Sequence, residues 1–207
     1  MNERSFISAG DRILTNSDKR ADIMLAAMEL IAEQGFHGAP MSEIAQKART
    51  AAGTIYCYFE NKDVLINELF HEIEDKLIEA ILAGYPEGKP VKEQFFYVFG
   101  ELCRYLLTHP LHFRYMEQYF NSPYGISHRR DKLLGKNVNH DGHDALIRIF
   151  EEGISQKILK DLPLIVLASL AIGPMLYVIR DHTLGFVALD EPLIRQITKA
   201  CWDAIKR

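Results

Sequence analysis

Residues 41–65, MSEIAQKARTAAGTIYCYFENKDVL, have the pattern of two short helices around a tight turn, followed at once by a third helix. In the first helix Ile44, Ala45 and Ala48 form an apolar stripe, where alanine allows a second helix to cross closely. No other feature limits the fold as much, because two helices joined by so short a turn must pack against each other. The segment predicts a helix-turn-helix.

The second helix of the pair is predicted over residues 52–58, with Ile55 and Phe59 turned inward. Its outward side carries Thr54, Tyr56, Cys57 and Tyr58. An exposed face with three hydroxyl groups, followed by Lys62, suits phosphate oxygens and base edges better than plain solvation. We therefore expect this face to bind DNA.

The flanking residues make the pattern specific. Residues 23–36, IMLAAMELIAEQGF, precede a glycine-containing loop to Pro40, and residues 53–59, GTIYCYF, are followed by Asn61-Lys62. This ordered set resembles the N-terminal domain of the TetR family of transcriptional repressors over roughly the first third of the chain. The resemblance implies a homodimer that binds a palindromic double-stranded DNA operator and leaves it when a small apolar or aromatic effector binds the C-terminal domain.

The resemblance also implies the DNA-contacting residues. They are Ser42, Arg49, Ala52, Gly53, Thr54, Tyr56, Cys57, Tyr58 and Lys62. The chain departs from the family where Gly-Val-Ser is usual, since residues 49–51 are Arg-Thr-Ala and the serine cap is missing, which leaves Thr50 as a candidate cap one residue early. Ala52 offers a base only a methyl contact, and Cys57 removes a common phosphate contact. These departures bear on sequence preference rather than on DNA binding.

Composition sets the class of protein. At 207 residues with 48% apolar and 25% charged residues, the chain is of ordinary soluble globular type. The net charge of −4 favours no nucleic-acid partner, and residues 1–62 hold seven Lys or Arg against eight Asp or Glu, so DNA contacts must come from local placement of charge. Three widely spaced cysteines and an N-terminus without an apolar segment predict a cytoplasmic protein with reduced thiols.

Helical periodicity runs through almost the whole chain, which predicts an all-α fold of about nine helices. We expect an N-terminal extension over 1–17, a three-helix helix-turn-helix domain over 18–62 and a helical regulatory and dimerisation domain over 63–207. The predicted helices are 18–35, 41–48, 52–58, 61–84, 91–108, 111–121, 143–157 and two that begin after Asp161 and Asp190, with 122–142 as loop or irregular helix.

Aromatic residues concentrate in one part of the second domain. Ten of the 21 Phe, Tyr and Trp residues lie between Phe95 and Tyr124. Such a density is typical of a lipophilic cavity, although a large aromatic core explains it equally well. The predicted effector site is lined by Phe99, Cys103, Phe113, Met116, Tyr119, Phe120, Leu170 and Tyr177. Arg114, His112 and Gln118 are the nearest candidates for an orienting polar group.

Residues 162–179 carry no charge, and this is the length of a short transmembrane span. Gly173-Pro174, the flanking charges and the lack of a second span favour a buried helix instead, and we predict no membrane partner. A helix that is apolar all round must be covered all round, here by its own core and by a second subunit. The predicted homodimer interface contains Leu167, Met175, Leu176, Ile194, Ile197, Cys201 and Trp202.

Other residue patterns give weak signals for a different function. His109 and His112 share with His140 and His143 a three-residue spacing that can hold a metal, but Pro110 and Gly142 interrupt the two turns, so we predict no metal site and no cofactor. Cys57 has two readings, a redox-sensitive thiol or a plain polar contact. The alternative function is an all-α small-molecule-binding protein or enzyme that does not use DNA. No nucleophile and base pair supports an enzyme, so we predict a regulator.

Overall fold

The computed structural model describes residues 16–133 and 141–207 of the chain. These residues form ten helices and no strand, which confirms the all-α prediction with one helix more than expected. The helices are α1 (Asn16–Gln34), α2 (Met41–Lys47), α3 (Ala52–Ile55), α4 (Lys62–Leu82), α5 (Val91–Thr108), α6 (Pro110–Phe120), α7 (Pro123–Leu133), α8 (Asp141–Ser155), α9 (Leu164–Thr183) and α10 (Glu191–Ile205). Most of the predicted extension over 1–17 lies outside the described residues.

The chain divides into two compact units, Met1–Leu69 and Phe70–Arg207. The division falls inside α4, whereas the sequence prediction placed the domain boundary at the start of this helix. α4 begins where predicted, because the Asn61 side chain accepts a hydrogen bond from the Val64 amide at 2.9 Å and so caps the first turn. The connection between the units is therefore a continuous helix.

The first unit packs α1, α2 and α3 around a small apolar core. Ile23, Ile31 and Ile44 are fully buried there, on the faces that the spacing of apolar residues predicts. α1 ends as predicted, since Gly35 takes a left-handed conformation with φ of 71° and its amide donates to the Ile31 carbonyl at 2.9 Å. This turn sends the chain back across α1 into α2.

The second unit is organised around α5, which packs against α6, α8, α9 and α10. Its aromatic face is part of one continuous core, where the Phe95 and Phe99 rings stack at 3.9 Å and Trp202 of α10 lies 5.1 Å from Phe95. Arg104 of α5 donates to the Glu191 carboxylate of α10 at 2.8 Å on the surface of this core. The last two helices are thus integrated into the subunit rather than appended to it.

Two sequence predictions about this unit are wrong. Residues 123–133 form the regular helix α7, where a loop or irregular helix was expected. Gly125 permits it, because a Cβ atom there would lie 2.4 Å from the Tyr119 carbonyl oxygen of α6, so only glycine allows α6 and α7 to approach so closely. Asp161 does not cap α9, which begins at Leu164 with Pro163 in the cap position, whereas Asp190 does cap α10 through the Leu193 amide at 2.9 Å.

Candidate DNA-binding and effector sites

The turn between α2 and α3 is closed by two backbone hydrogen bonds. The Thr50 amide donates to the Ala45 carbonyl at 2.9 Å and the Arg49 amide to the Gln46 carbonyl at 3.1 Å, the pattern of a Schellman helix end. This motif needs a left-handed residue, and here that residue is Arg49, with φ of 51°. The turn therefore has the geometry that glycine usually provides, with a cationic side chain in its place.

α3 is shorter than predicted. The helix ends at Ile55 instead of Tyr58, and residues 56–58 continue as turns in which the Tyr58 and Phe59 amides donate to the Ile55 carbonyl at 3.0 and 2.9 Å. The predicted Thr50 cap is also wrong, because Ala51 occupies the cap position and no side chain accepts a hydrogen bond there. Ile55 and Phe59 are fully buried, as expected, and they fix the orientation of the segment.

The nine predicted DNA-contacting residues, which we together call the recognition face, differ in their exposure. Of these nine residues, Ser42, Arg49, Ala52, Gly53, Tyr56 and Cys57 are exposed, and Thr54, Tyr58 and Lys62 are half-buried. Tyr56 stands out most, with 56% of its surface exposed although it is a large aromatic residue. Open space surrounds the position of a Cβ atom at Gly53. The open space at Gly53, three residues before the exposed Tyr56, leaves room for a nucleic acid to approach the backbone closely.

The cations near this face differ in their partners. Lys47 forms an ion pair with Glu29 at 3.0 Å, and the Lys62 ammonium donates to the Phe36 carbonyl at 2.5 Å. Partial burial lowers the pKa of Lys62 from its ordinary value, an effect that neighbouring Asp63 opposes. Arg49 makes no ion pair with the residues that the structure describes. Arg49 is therefore the cation most available to a phosphate.

The residues predicted to line an effector cavity do not form one wall. Phe99, Cys103 and Phe113 lie in the core cluster of the second unit, with Met116 packed against it. Tyr119 instead stacks on Phe70 at 3.9 Å, and Phe120 meets the same ring edge-on at 5.4 Å. Leu170 and Tyr177 are 38% and 65% exposed on α9, so they face away from the cluster. The first four residues remain a coherent candidate site.

The polar groups proposed to orient an effector have different surroundings. His112 Nδ1 lies 2.8 Å from the Tyr105 hydroxyl, and burial lowers the pKa of His112 to about 4, with positive charge on His109 and Lys76 acting in the same direction. Burial also raises the pKa of Tyr105 to about 12, so a protonated hydroxyl and a neutral imidazole share this hydrogen bond. Gln118 is exposed. His112 thus lies against a residue of the aromatic cluster, Tyr105.

The interface prediction requires a correction. Leu167, Met175, Ile194, Cys201 and Trp202 are buried within the subunit core, so they are not available to a partner. Leu176 and Ile197 are half-buried against the same cluster. α9 carries no charge from residues 164 to 179, and nothing in its sequence marks which face turns inward. The sequence therefore could not show which side of α9 faces a partner, and the α9 residues predicted for the interface lie on the side that faces the core.

The outward face of α9 is an extensive apolar surface. It presents Ile165, Val166, Leu170, Pro174 and Tyr177, which the sequence analysis did not assign to an interface, apart from placing Leu170 and Tyr177 in the effector site. Beyond its end Leu184 and Phe186 are also exposed, Phe186 by 78%. α9 is the one helix among the described residues that is long and apolar enough to cross a membrane, which is weak evidence by itself. An exposed apolar patch of this kind is typical of a surface that contacts another protein, a membrane or a ligand.

The histidine pairs do not assemble a metal centre in the part of the chain that is described, where no group of three or more His, Cys, Asp or Glu residues has suitable geometry. His109 ends α5 and stacks on His112 at a ring distance of 5.1 Å. His140 of the second pair lies outside the described residues. The stacked rings pack with Tyr105, which explains the first pair without a ligand.

Comparisons with known proteins match both units of the chain. Residues 23–69 match the profile of bacterial regulatory proteins of the tetR family, and residues 90–206 match the tetracyclin repressor-like C-terminal domain. An uncharacterised HTH-type transcriptional regulator of Haemophilus influenzae is 24% identical over 92% of this chain and 97% of its own length. The fatty acid metabolism regulator protein of Bacillus subtilis is 41% identical over a shorter stretch, 37% of this chain and 39% of its own.

A solved structure shares the complete fold. A TetR family transcription regulator from Marinobacter aquaeolei superposes with a TM-score of 0.79 at 23% identity, and the match covers 92% of this chain and 97% of the other. The C-terminal profile alone spans more than half of the chain, and it follows the N-terminal profile in the order that the two units have. The chain belongs to the TetR family of DNA-binding transcriptional regulators.

Proposed function

We propose that this regulator is a cytoplasmic repressor that binds a pseudo-palindromic operator as a homodimer and leaves it when a small apolar molecule binds the second unit. The observation that carries the proposal is the recognition face. Two fully buried anchors, Ile55 and Phe59, flank the exposed Tyr56 and Cys57, and the exposed Ala52 and Gly53 come just before the first anchor. Since burying those anchors fixes the rest of the segment, its outward groups are preorganised for a ligand.

The chemistry of the recognition face favours DNA as that ligand. Tyr56 and Arg49 offer a hydroxyl and a guanidinium for phosphates, while Thr54 lies deeper and is suited to base edges. Contacts to phosphates act on every sequence alike, and contacts to bases act on the preferred sequence. In this proposal Tyr56 and Arg49 therefore contact the phosphates, and Thr54 contacts the bases.

Substitutions at Tyr56 and Thr54 test this division. We expect Tyr56→Phe, which removes only the hydroxyl, to weaken operator DNA and random DNA by about the same factor. Thr54→Val keeps the shape of the side chain but removes its hydroxyl, and it should change the preferred base sequence as well as affinity. Competition binding against a set of operator variants measures both. Unchanged binding in both proteins refutes the assignment of the recognition face.

The homodimer is supported by the outward face of α9. In the single subunit this helix exposes Ile165, Val166, Leu170 and Tyr177 to water, and a second copy that places the same face against it removes this apolar area. A two-fold axis is also what a pseudo-palindromic operator requires, with half-sites about one helical turn, ~34–36 Å, apart or a multiple of it. We therefore place the subunit contact on this face.

The effector site is proposed among Phe99, Cys103, Phe113 and Met116 in the core of the second unit. These side chains are apolar and contiguous, and His112 lies close by in the sequence of α6 as a polar group that can orient a ligand. The related fatty acid metabolism regulator protein of Bacillus subtilis makes a fatty acid the first compound to test. A ligand acts only when it binds one state of the dimer more tightly than the other.

The alternative function, an all-α binding protein or enzyme that no longer uses DNA, predicts no role for the recognition face. It gives no ligand to the exposed Tyr56 hydroxyl or to the Arg49 guanidinium, which makes no ion pair with the described residues. The substitutions at Tyr56 and Thr54 therefore distinguish the two functions.

A further inference from the structure

Lys62 is the first residue of α4, and its side chain turns back into the protein. The ammonium donates a hydrogen bond to the backbone carbonyl of Phe36, 26 residues earlier in the chain, at an N···O distance of 2.5 Å. The same carbonyl also accepts the Ala39 amide at 3.5 Å. A charged donor on a carbonyl makes one of the stronger hydrogen bonds available inside a protein.

The two partners lie in the segments that bracket the helix-turn-helix. Phe36 belongs to the segment between α1 and α2. Lys62 is the first residue of α4 and comes shortly after the turns at residues 56–58. The first segment is tight, since a Cβ atom at Gly38 would lie 2.7 Å from the Gln34 carbonyl oxygen. Lys62 therefore ties the entrance of the helix-turn-helix to its exit.

A second contact holds the same exit. The Arg20 guanidinium of α1 lies over the Phe59 ring at 5.4 Å and donates to the Glu68 carboxylate at 2.7 Å. Phe59 is the buried residue that directly follows the turns at residues 56–58. Two cations of the first unit are thus engaged in contacts within that unit, and both act where the chain leaves the helix-turn-helix.

This placement differs from that of a phosphate contact. A residue that serves DNA alone keeps its charge in solvent until DNA arrives, whereas Lys62 is half-buried and has an intramolecular acceptor. Partial burial, the largest cause, lowers the pKa of its ammonium, which is consistent with a cation withdrawn from water. One of its three N–H groups is already used in the DNA-free protein.

We propose that Lys62 is a positioning residue for DNA binding, which fixes the two segments that bracket the helix-turn-helix, rather than a phosphate contact. The proposal rests on the proposed function, since it concerns how the recognition face is held. Its consequence is that Lys62 stabilises the DNA-free protein and leaves the salt dependence of DNA binding unchanged.

Salt dependence separates the two roles. Each neutralised phosphate contributes about 0.9 to the slope of log affinity against log salt concentration. We expect Lys62→Met, which keeps the apolar stem, to lower the melting temperature by about 5 °C and to weaken DNA binding at least about tenfold, with the slope unchanged. Lys62→Gln, which keeps an N–H donor without charge, should recover part of both losses. Binding is measured at several low salt concentrations so that weakened variants stay in range.

Arg49→Asn is the matched control for a solvent-facing charge. Asparagine tolerates the left-handed backbone at this position, so the substitution removes the guanidinium without new strain. We expect a slope lower by about one and a melting temperature no lower than that of the wild-type protein. Hydrogen exchange of the amides of residues 54–59 in the DNA-free proteins should be faster in Lys62→Met and unchanged in Arg49→Asn.

A slope lower by about one in Lys62→Met and Lys62→Gln overturns the proposal, whatever their stability, because it shows that the charge acts on phosphate. Unaltered melting and exchange in both variants overturn it as well. Unfolding of Lys62→Met supports it, since a phosphate contact contributes nothing to the protein without DNA. If the wild-type protein binds no DNA sequence specifically, the proposed function fails, while melting and hydrogen exchange still decide whether Lys62 holds the two segments.

Discussion

Arg49 is in a backbone conformation that costs a residue other than glycine about 1 kcal/mol. We expect Arg49→Gly to raise the free energy of unfolding of the first unit by about 0.5–1 kcal/mol, because glycine adopts this conformation without a Cβ clash. DNA binding should nevertheless weaken, since a cation is lost from the recognition face. Thermal denaturation and DNA titration of the same samples measure the two effects.

Arg49→Ala is the control for that substitution. It removes the same charge but keeps a Cβ atom in the left-handed region, so its stability should stay close to that of the wild-type protein while its DNA affinity falls as in Arg49→Gly. Equal stability of the glycine and alanine variants contradicts the assignment of strain to this turn.

His112 makes the stability of the second unit depend on pH. The folded protein holds the pKa of His112 near 4, below its ordinary value of 6.5, so the unfolded chain binds more protons between these values. The contribution of neutral His112 to the free energy of unfolding is therefore fully present above about pH 6.5 and is lost as the pH falls towards 4. We expect the melting temperature of His112→Gln to fall less steeply over this range than that of the wild-type protein. Parallel curves for the two proteins rule out His112 as the group responsible.

At the scale of the element, α9 shows what a sequence without charge contrast leaves undetermined. Its length and its apolar character were predicted, but its inward face was not, because hydrophobic periodicity needs a polar side to give the helix a direction. Leu167 and Leu170 are both leucines in the same uncharged stretch, yet Leu167 is fully buried and Leu170 is 38% exposed. Only packing against α5 and α10 distinguishes them.

The outward face of α9 predicts the behaviour of these two leucines. We expect Leu170→Glu to give a folded monomer, because it places a charge in the proposed subunit contact. Leu167→Glu should instead unfold the second unit, since it buries an unpaired carboxylate in the core. Circular dichroism and sedimentation velocity report fold and mass.

Leu25→Glu serves as the control for Leu170→Glu, because Leu25 is also an exposed leucine, 48% against 38%, and lies on α1 of the first unit. It should remain dimeric. A Leu170→Glu protein with wild-type fold and mass locates the subunit contact elsewhere.

Other elements could be predicted to the extent that local signals define them. The Asn61 and Asp190 caps and the terminating Gly35 were recognised because each acts within a few residues of its own position. α7 was missed because its Pro-Tyr-Gly start is typical of a turn, and the contact that makes Gly125 suitable comes from α6. The early end of α3 at Ile55 has no local signal in the residues that follow it.

The candidate DNA-binding and effector sites could likewise be predicted only where nearby residues define them. The recognition face was identified because alternating buried and exposed residues lie within one short segment, where Ile55 and Phe59 define the inside. The effector residues come from three separate helices, and sequence alone cannot show that Tyr119 stacks on Phe70, 49 residues earlier in the chain. The hydrogen bond from Lys62 to Phe36 joins residues 26 positions apart and was not predicted either.

For the whole molecule, binding of an effector should act on DNA affinity. We expect lauric acid to release the DNA and to raise the melting temperature of the protein. At a hundredfold excess over its dissociation constant, it should raise the free energy of unfolding by about 2.7 kcal/mol. Met116→Trp, at a half-buried position beside the cluster, should reduce both effects while leaving DNA affinity unchanged. Cys103→Trp fills the interior more severely and tests the same site if the protein still folds.

An indole or naphthalene carboxylic acid tests whether an aromatic compound replaces the acyl chain. Stabilisation that persists in both tryptophan variants places the ligand outside the proposed cluster. Stabilisation by lauric acid without release of DNA separates ligand binding from regulation, and it contradicts the proposed mechanism.

The central claim is that the dimer binds one DNA sequence in preference to others through its recognition face. Selection from a random library of duplex DNA with the wild-type protein tests it most directly. The account predicts an enriched pseudo-palindrome with half-sites one helical turn or a multiple of it apart, bound at least ~10³ times more tightly than random DNA. Recovery of no motif, with equal affinity for selected and random DNA at every salt concentration, contradicts the account.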